Sequence, residues 1–363
     1  MLKGVNIMPE TIFVSQWVAR GVPRLLASYP QKNLDPNLIV DIFGLILREE
    51  EEPHEGFYIV SYPENAIFSE KYAGRNFVGY FSGLELKQLV GLILEEKEEP
   101  EPYRGALVRI ALRLFRRGEI PTAEEEWEDI WTQMLAYTKM PIEQRIADIF
   151  RDVEARVILS TMVDEGVLTL DDLVRKAREK ISFPTTRDLL ISYAYALSAL
   201  GVLEIRFDEK ALVERVYLIS DVVFYKRKPT KFDIIMRVPA LKELYSQRVS
   251  EYISTWEAEA EKIPELIGRS DVYNLIQRFR NEGLIKKDSL SQDEQTIAEK
   301  LRAEGIIVEF GGDYVMLFDP TYKLLFPKWT IARFIEKCRE DMAARELLKN
   351  WLNILKEAYL RRR

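Results

Sequence analysis

Side chains able to do chemistry are few in this sequence and lie far apart. His54 is the only histidine and Cys338 the only cysteine, 284 positions away. A Ser-His-acid or Cys-His arrangement would have to recruit His54, which stands between acids in a stretch that reads as a loop. Zinc needs several Cys or His ligands in a recognisable pattern, and these two residues make none. Asp171 and Asp172 could share a divalent ion only with further partners; just after Thr169 they sit where Asp caps a helix start. G-x-x-x-x-G-K-[ST], G-x-G-x-x-G and H-E-x-x-H are all absent. The expectation is a chain with no catalytic residue, no metal ligand and no cofactor.

The remaining candidates bind and do not react. FYKRKPTK, residues 224–231, sets Phe224 and Tyr225 beside Lys226, Arg227, Lys228 and Lys231. Such a segment grips phosphate or stacks single-strand bases, or else it is a solvated loop ended by a proline. Arg187 is the one groove-reading side chain of TTRDLLISYAYALSALG, and Asp188 stands next to it. The rest of that helix is apolar on almost every side, so protein is expected to cover it. In SQDEQTIAEKLRAE, Gln292 and Gln295 could read bases, but Asp293, Glu294, Glu299 and Glu304 outnumber Lys300 and Arg302. Arg361–Arg363 could touch nucleic acid, anionic lipid or an acidic neighbour, and it also complements the negative end of a helix, the plainer role. A net charge of −7 argues against nonspecific phosphate binding as the main task. DNA is therefore disfavoured as a partner.

These groups must be held by folded domains. Hydrophobic content of 47% with 31% charged residues describes a globular chain, and 363 residues suffice for two or three cores. No run approaches the ~18 apolar residues of a membrane span, and Met1-Leu2-Lys3-Gly4 opens no secretory leader. A single cysteine fits a reducing, cytoplasmic setting. Abundant Glu, Lys and Arg with scarce Asn and Gln fit a thermophilic source.

IFVSQWVA and VPRLLASYP alternate across an Arg20-Gly21 turn, which predicts a hairpin. Asp35 and Pro36 open a helix carrying Leu38, Ile39, Ile42, Phe43, Leu45 and Ile46 on one stripe. GFYIVSY (56–62), NFVGYF (76–81, between Gly74 and Gly83) and LKQLVGLILEE (86–96) predict three more strands, the last of them central. Pro102 then opens a helix with Leu107, Ile110, Ala111 and Leu114 inward, ending at Gly118. Thr122 and Glu125 spell a capping box before a spacer helix, and Pro141 interrupts ahead of a helix from Ile142 toward Met162.

Hairpin, helix, three strands and helix resembles the element order of longin-like domains, over the first third of the chain. That resemblance implies an antiparallel sheet backed by helices and a docking platform without catalytic residues, often for small GTPases or membrane-trafficking machinery. Residues 150–228 and 264–320 each read as helix, helix, glycine and β-ribbon, which resembles winged helices. The expected architecture is thus α+β. It comprises a longin-like domain (1–118), a helical spacer (119–149) and a first winged helix (150–237). A connecting helix (238–263), a second winged helix (264–327) and one long C-terminal helix (328–363) complete it. The expected function is a non-enzymatic adaptor. One partner, a small GTPase or a membrane-remodelling component, would sit on the platform; the winged helices would hold another protein or a second copy of the chain. The rival expectations are a DNA-binding transcription or chromosome factor gripping through Arg187 and Lys226–Lys231, and a fixed subunit of a larger complex.

Overall fold

A computed structural model describes residues 9–18, 22–30, 34–47, 56–61, 75–82, 87–95, 98–117, 120–253, 259–339 and 341–361. The protein is mixed α+β with an antiparallel sheet at its N-terminal end. It divides into two compact units, residues 1–140 with 167–217 and residues 141–166 with 218–363. The segment 150–237, expected as one domain, is therefore shared between them. The Arg20-Gly21 turn, His54, Gly74, Gly83 and Gly118 lie outside the described residues.

The first unit begins with β1 (Thr11–Val18), β2 (Val22–Tyr29), α1 (Pro36–Leu47), β3 (Gly56–Ser61), β4 (Asn76–Phe81) and β5 (Gln88–Leu94). The strands pair in the order β2-β1-β5-β4-β3, every neighbour antiparallel. The Leu- and Val-rich β5 is the middle strand, as its composition required. The hairpin β1-β2 carries a bulge: Val14 faces Ala27 and Ser15 faces Leu25, leaving Leu26 as the extra residue. Asp35 caps α1 by accepting from the Asn37 N–H. Leu38, Ile39, Ile42 and Phe43 of α1 pack on Phe13, Trp17, Phe77, Phe81, Leu89 and Ile93 of the sheet. Each such buried side chain contributes roughly 1.5–3 kcal/mol. Gly79 and Gly91 face one another across β4 and β5, and a Cβ on either would come within about 2.6 Å of the Phe77 or Phe13 ring. The missing side chains make the slot in which those two rings stack.

Next come α2 (Arg104–Arg117), after a 3-10 turn over Glu101–Tyr103, and α3 (Glu124–Lys139). Leu107, Ile110, Ala111 and Leu114 of α2 are buried, as their spacing predicts. Arg113 of α2 bonds to Asp129 and Gln133 of α3, so α3 packs on the first unit and is no free spacer. The capping box expected from Thr122 and Glu125 does not form. The N-cap is Ala123, without a side-chain bond, and Trp127 instead ties its indole N–H to the Pro121 carbonyl.

The helix expected from Ile142 toward Met162 is two helices of the second unit, α4 (Ile142–Phe150) and α5 (Val153–Glu165). The guanidinium of Arg156 takes the carbonyls of Phe150 and Arg151, satisfying backbone groups released by the break. The chain then returns to the first unit with β6 (Val167–Thr169), α6 (Leu170–Lys180), α7 (Arg187–Ala199), β7 (Leu203–Asp208) and β8 (Val213–Leu218). Thr169 and Thr186 cap α6 and α7. The sheet order is β6-β8-β7.

The second unit continues through β9 (Asp221–Arg227), α8 (Phe232–Arg237), α9 (Pro239–Ile253), α10 (Glu259–Ile267), α11 (Ser270–Glu282) and β10 (Leu284–Lys286). It ends with α12 (Gln292–Ala303), β11 (Ile307–Phe310), β12 (Asp313–Met316), β13 (Asp319–Leu325), α13 (Lys328–Lys337) and α14 (Met342–Arg361). Strands β10, β12 and β11 repeat the order of the earlier three-stranded sheet. Gly311 and Gly312, both at positive φ, form the two-residue hairpin between β11 and β12.

Three expectations are corrected here. The run 213–225 is not one wing strand: it divides after Leu218, and β9 pairs with β13 over seven residue pairs. The connecting helix over 239–263 appears as α9 and α10, the latter running on to Ile267, with 254–258 outside the described residues. The C-terminal helix is a pair. Asp341 accepts from the Ala343 N–H to start α14, and Arg345 of α14 takes the Cys338 and Arg339 carbonyls that end α13.

Candidate functional site

The candidate phosphate-binding residues are ordered by structure and not by sequence proximity. Arg187 stands at the start of α7, and its guanidinium lies 2.9 Å from the Asp171 carboxylate. Behind it α7 is buried on nearly all sides: Asp188, Leu190, Ile191, Ser192, Tyr193, Ala194, Tyr195, Ala196 and Leu197 are all buried. The cover comes from the same unit. Helix α2 runs against α7, and Arg116 sits over the Tyr193 ring at 5.5 Å. The Tyr80 hydroxyl on β4 donates to Ser192 Oγ at 2.9 Å, while Ser192 Oγ donates to the Asp188 carbonyl. Tyr195 packs edge-on against Tyr80 and Phe57. An apolar helix needs protein around it, and the N-terminal sheet with its helix α2 supplies that protein.

The basic segment 226–231 splits the same way. Lys226 is in the interior, its side chain only 8% exposed, with Nζ 2.7 Å from Glu259 and 3.0 Å from the Glu304 carbonyl. Arg227 reaches the fully buried Asp319 at 2.7 Å. Lys228 lies over the Phe232 ring at 5.9 Å, and Lys228 and Lys231 are exposed. Strand pairing of β9 with β13 turned what read as one basic loop into one buried cation, Lys226, one half-exposed cation anchored on a buried carboxylate, Arg227, and two surface lysines.

Lys226 also lines a cleft of about 170 Å³. Three cations and three acids surround it, paired as Lys226–Glu259, Arg248–Glu251 and Lys262–Glu304. Mutual neutralisation leaves the cleft without a field for an anion.

A denser ionic network holds the second unit together. Arg280 on α11 bonds both oxygens of Glu143 on α4, Asp319 Oδ1 and the Pro320 carbonyl, at 2.6–2.9 Å. Thr321 and Tyr273 hydroxyls also donate to Glu143. Burial alone would raise the Glu143 pKa, but Arg280, Thr321 and Tyr273 outweigh it and hold the carboxyl below its ordinary range. Arg280 is likewise raised further above its already high value, against the opposing effect of burial. In the first unit, Glu98 is buried beside Tyr103, whose hydroxyl donates to it, and accepts the Glu95 N–H. Burial raises its carboxyl despite those bonds.

Sequence reasoning missed the Glu143 network for a simple reason: Glu143, Arg280 and Asp319 lie on three elements far apart in the chain, and no local spacing joins them. Asp171 and Asp172 do stand at a helix start; Asp172 bonds Thr169 and Arg175, which hold its carboxyl low, with Arg175 the larger influence. Among the described residues no three His, Cys, Asp or Glu side chains converge as metal ligands, and no helix is long and apolar enough to cross a membrane. No protein family, curated protein or solved structure matches the chain.

Proposed function

We propose that this chain is a non-enzymatic cytoplasmic adaptor, a longin-like platform joined to two winged-helix modules. The element order that carries the longin resemblance is present as a five-stranded antiparallel sheet with α1 packed against it. The winged-helix reading is supported by two three-stranded sheets of identical order, each with a helix leading into the closing hairpin. The observation that carries the function is the burial of α7. The helix that would read a DNA groove in the first module is spent on internal packing.

Affinity then comes from surface complementarity, with apolar anchors ringed by polar groups. The platform seats one partner, for which the resemblance implies a small GTPase or a membrane-remodelling component. The exposed face of α12 offers a second docking surface, with Gln292, Asp293, Thr296 and Lys300 outward. Its mixed charge suits a protein better than a polyphosphate.

Titration with duplex DNA across a salt series tests the reading. The adaptor predicts only nonspecific binding, Kd ~10⁻⁴–10⁻⁶ M near physiological salt. Sequence-selective, sub-micromolar binding lost in Lys228→Ala/Lys231→Ala would establish the DNA-factor reading instead.

A further inference from the structure

Two hairpins in sheets of the same strand order close with opposite chemistry. Between β11 and β12 the turn is Gly311-Gly312, which takes positive φ at no steric cost. Between β7 and β8 the turn covers residues 209–212, and its last residue is Leu212 at φ +54. A leucine in that conformation crowds its own backbone, and glycine or asparagine is what the position favours. The Leu212 side chain gains no burial in return, since it is 75% exposed. Phe207, two residues before the turn, is 59% exposed. Lys87 is the other described non-glycine residue at positive φ, and there the conformation serves the fold: its carbonyl accepts the Trp17 N–H at 2.7 Å.

The β7–β8 turn is also held firmly. Asp208 Oδ1 accepts the Lys210 and Ala211 N–H groups at 3.1 and 3.2 Å, and Oδ2 accepts from Arg215 Nε at 2.7 Å. Two large apolar side chains therefore bracket a stapled turn, one of them in a strained backbone conformation. Strain of this kind persists where function uses it.

We propose that the β7–β8 turn is a docking prong, with Phe207 and Leu212 entering an apolar pocket of a partner protein that has a basic rim. The local charge selects this occupant. From Glu204 to Arg215 there are four acids and three bases, and Glu209 is exposed within the turn itself. Arg206 and Arg215 are turned inward on Glu204 and Asp208. An acidic turn repels phosphate, so nucleic acid does not suit it. An anionic bilayer calls for a broad apolar face flanked by cations, and the turn offers two apolar side chains beside an acid. A protein pocket rewards both features: it buries the apolar pair, and a cation on its rim meets Glu209. The staple lowers the ordering cost of binding. This inference rests on the adaptor reading and names the surface its first unit would use.

The experiment places a photo-crosslinking residue at exposed Ala211 of the full chain, in the native host. The crosslinked protein is then purified and its Kd for the uncrosslinked chain measured. Leu212→Gly should melt at a higher temperature than the parent, because the strain is relieved, yet bind at least tenfold more weakly. Phe207→Ser should weaken binding in the same way. Glu209→Lys should slow association, with a difference that shrinks as salt is added. The proposal is overturned if Leu212→Gly melts no higher, or if the crosslinker finds no protein or only a second copy of this chain. It is equally overturned if the partner binds Leu212→Gly and Phe207→Ser as tightly as the parent. That last result would leave the adaptor reading standing, whereas selective binding in the DNA titration would remove the adaptor reading itself.

Discussion

The sheets β6-β8-β7 and β10-β12-β11 share one strand order, and each follows a capped helix, yet those helices differ in what surrounds them. Of the ten positions of α7 from Asp188 to Leu197 all but Leu189 are buried, under α2 and the strands β3 and β4 of its own unit. In α12 only Ile297, Ala298 and Leu301 are buried, Glu294, Gln295 and Glu299 are part-buried, and Gln292, Asp293, Thr296, Lys300, Arg302 and Ala303 are exposed. Identical topology therefore says little about which surface is available. Composition says more: Leu, Ile, Tyr and Ala all round α7 demand cover, whereas the charges of α12 tolerate water.

The comparison breaks most severely at the second module's foundation. Arg280→Ala would leave Glu143 and the fully buried Asp319 facing one another without their shared cation, at a cost of roughly 3–5 kcal/mol in denaturant unfolding. The same network sets a pH dependence. Because the folded Glu143 pKa lies below the ordinary 4.5, its stabilisation is complete above that value and is lost as pH falls through the lower, folded one. Glu143→Gln should accordingly lower stability more at neutral pH than in acid.

Smaller changes sharpen the contrast between the two helices. Tyr80→Phe removes the hydroxyl that reaches Ser192 and should cost about 1 kcal/mol, since Ser192 keeps its bond to Asp188. Thr296→Ala on the bare face of α12 removes only a bond to the Gln292 carbonyl and should stay within about 0.5 kcal/mol. Thermal or urea unfolding of both variants checks the pair.

Much of this was legible in the residues. The Asp35 cap, the inward stripe of α1 and the central place of β5 all follow from local pattern, and the apolar α7 announced its own burial. What failed was local reading applied across a break. Thr122 and Glu125 have the right spacing for a capping box, but the helix starts one residue later. FYKRKPTK looked like one basic surface because the chain gives no hint that β9 pairs with a strand almost a hundred residues away. Arg345 and Arg156 show the same limit: the guanidinium that stabilises a helix break lies beyond it, where periodicity sees only another helical position. The break between α13 and α14 was hidden by the reading of 328–363 as a single closing helix.

The central claim is that of two similarly placed helices α12 is open to solvent and α7 is covered. Thiol labelling of Ala194→Cys and Thr296→Cys measures this against a quiet background, since the one native cysteine, Cys338, is buried. Rapid labelling at 296 with strong protection at 194, released only on unfolding, is predicted. Comparable rates at the two positions in the folded protein would contradict it.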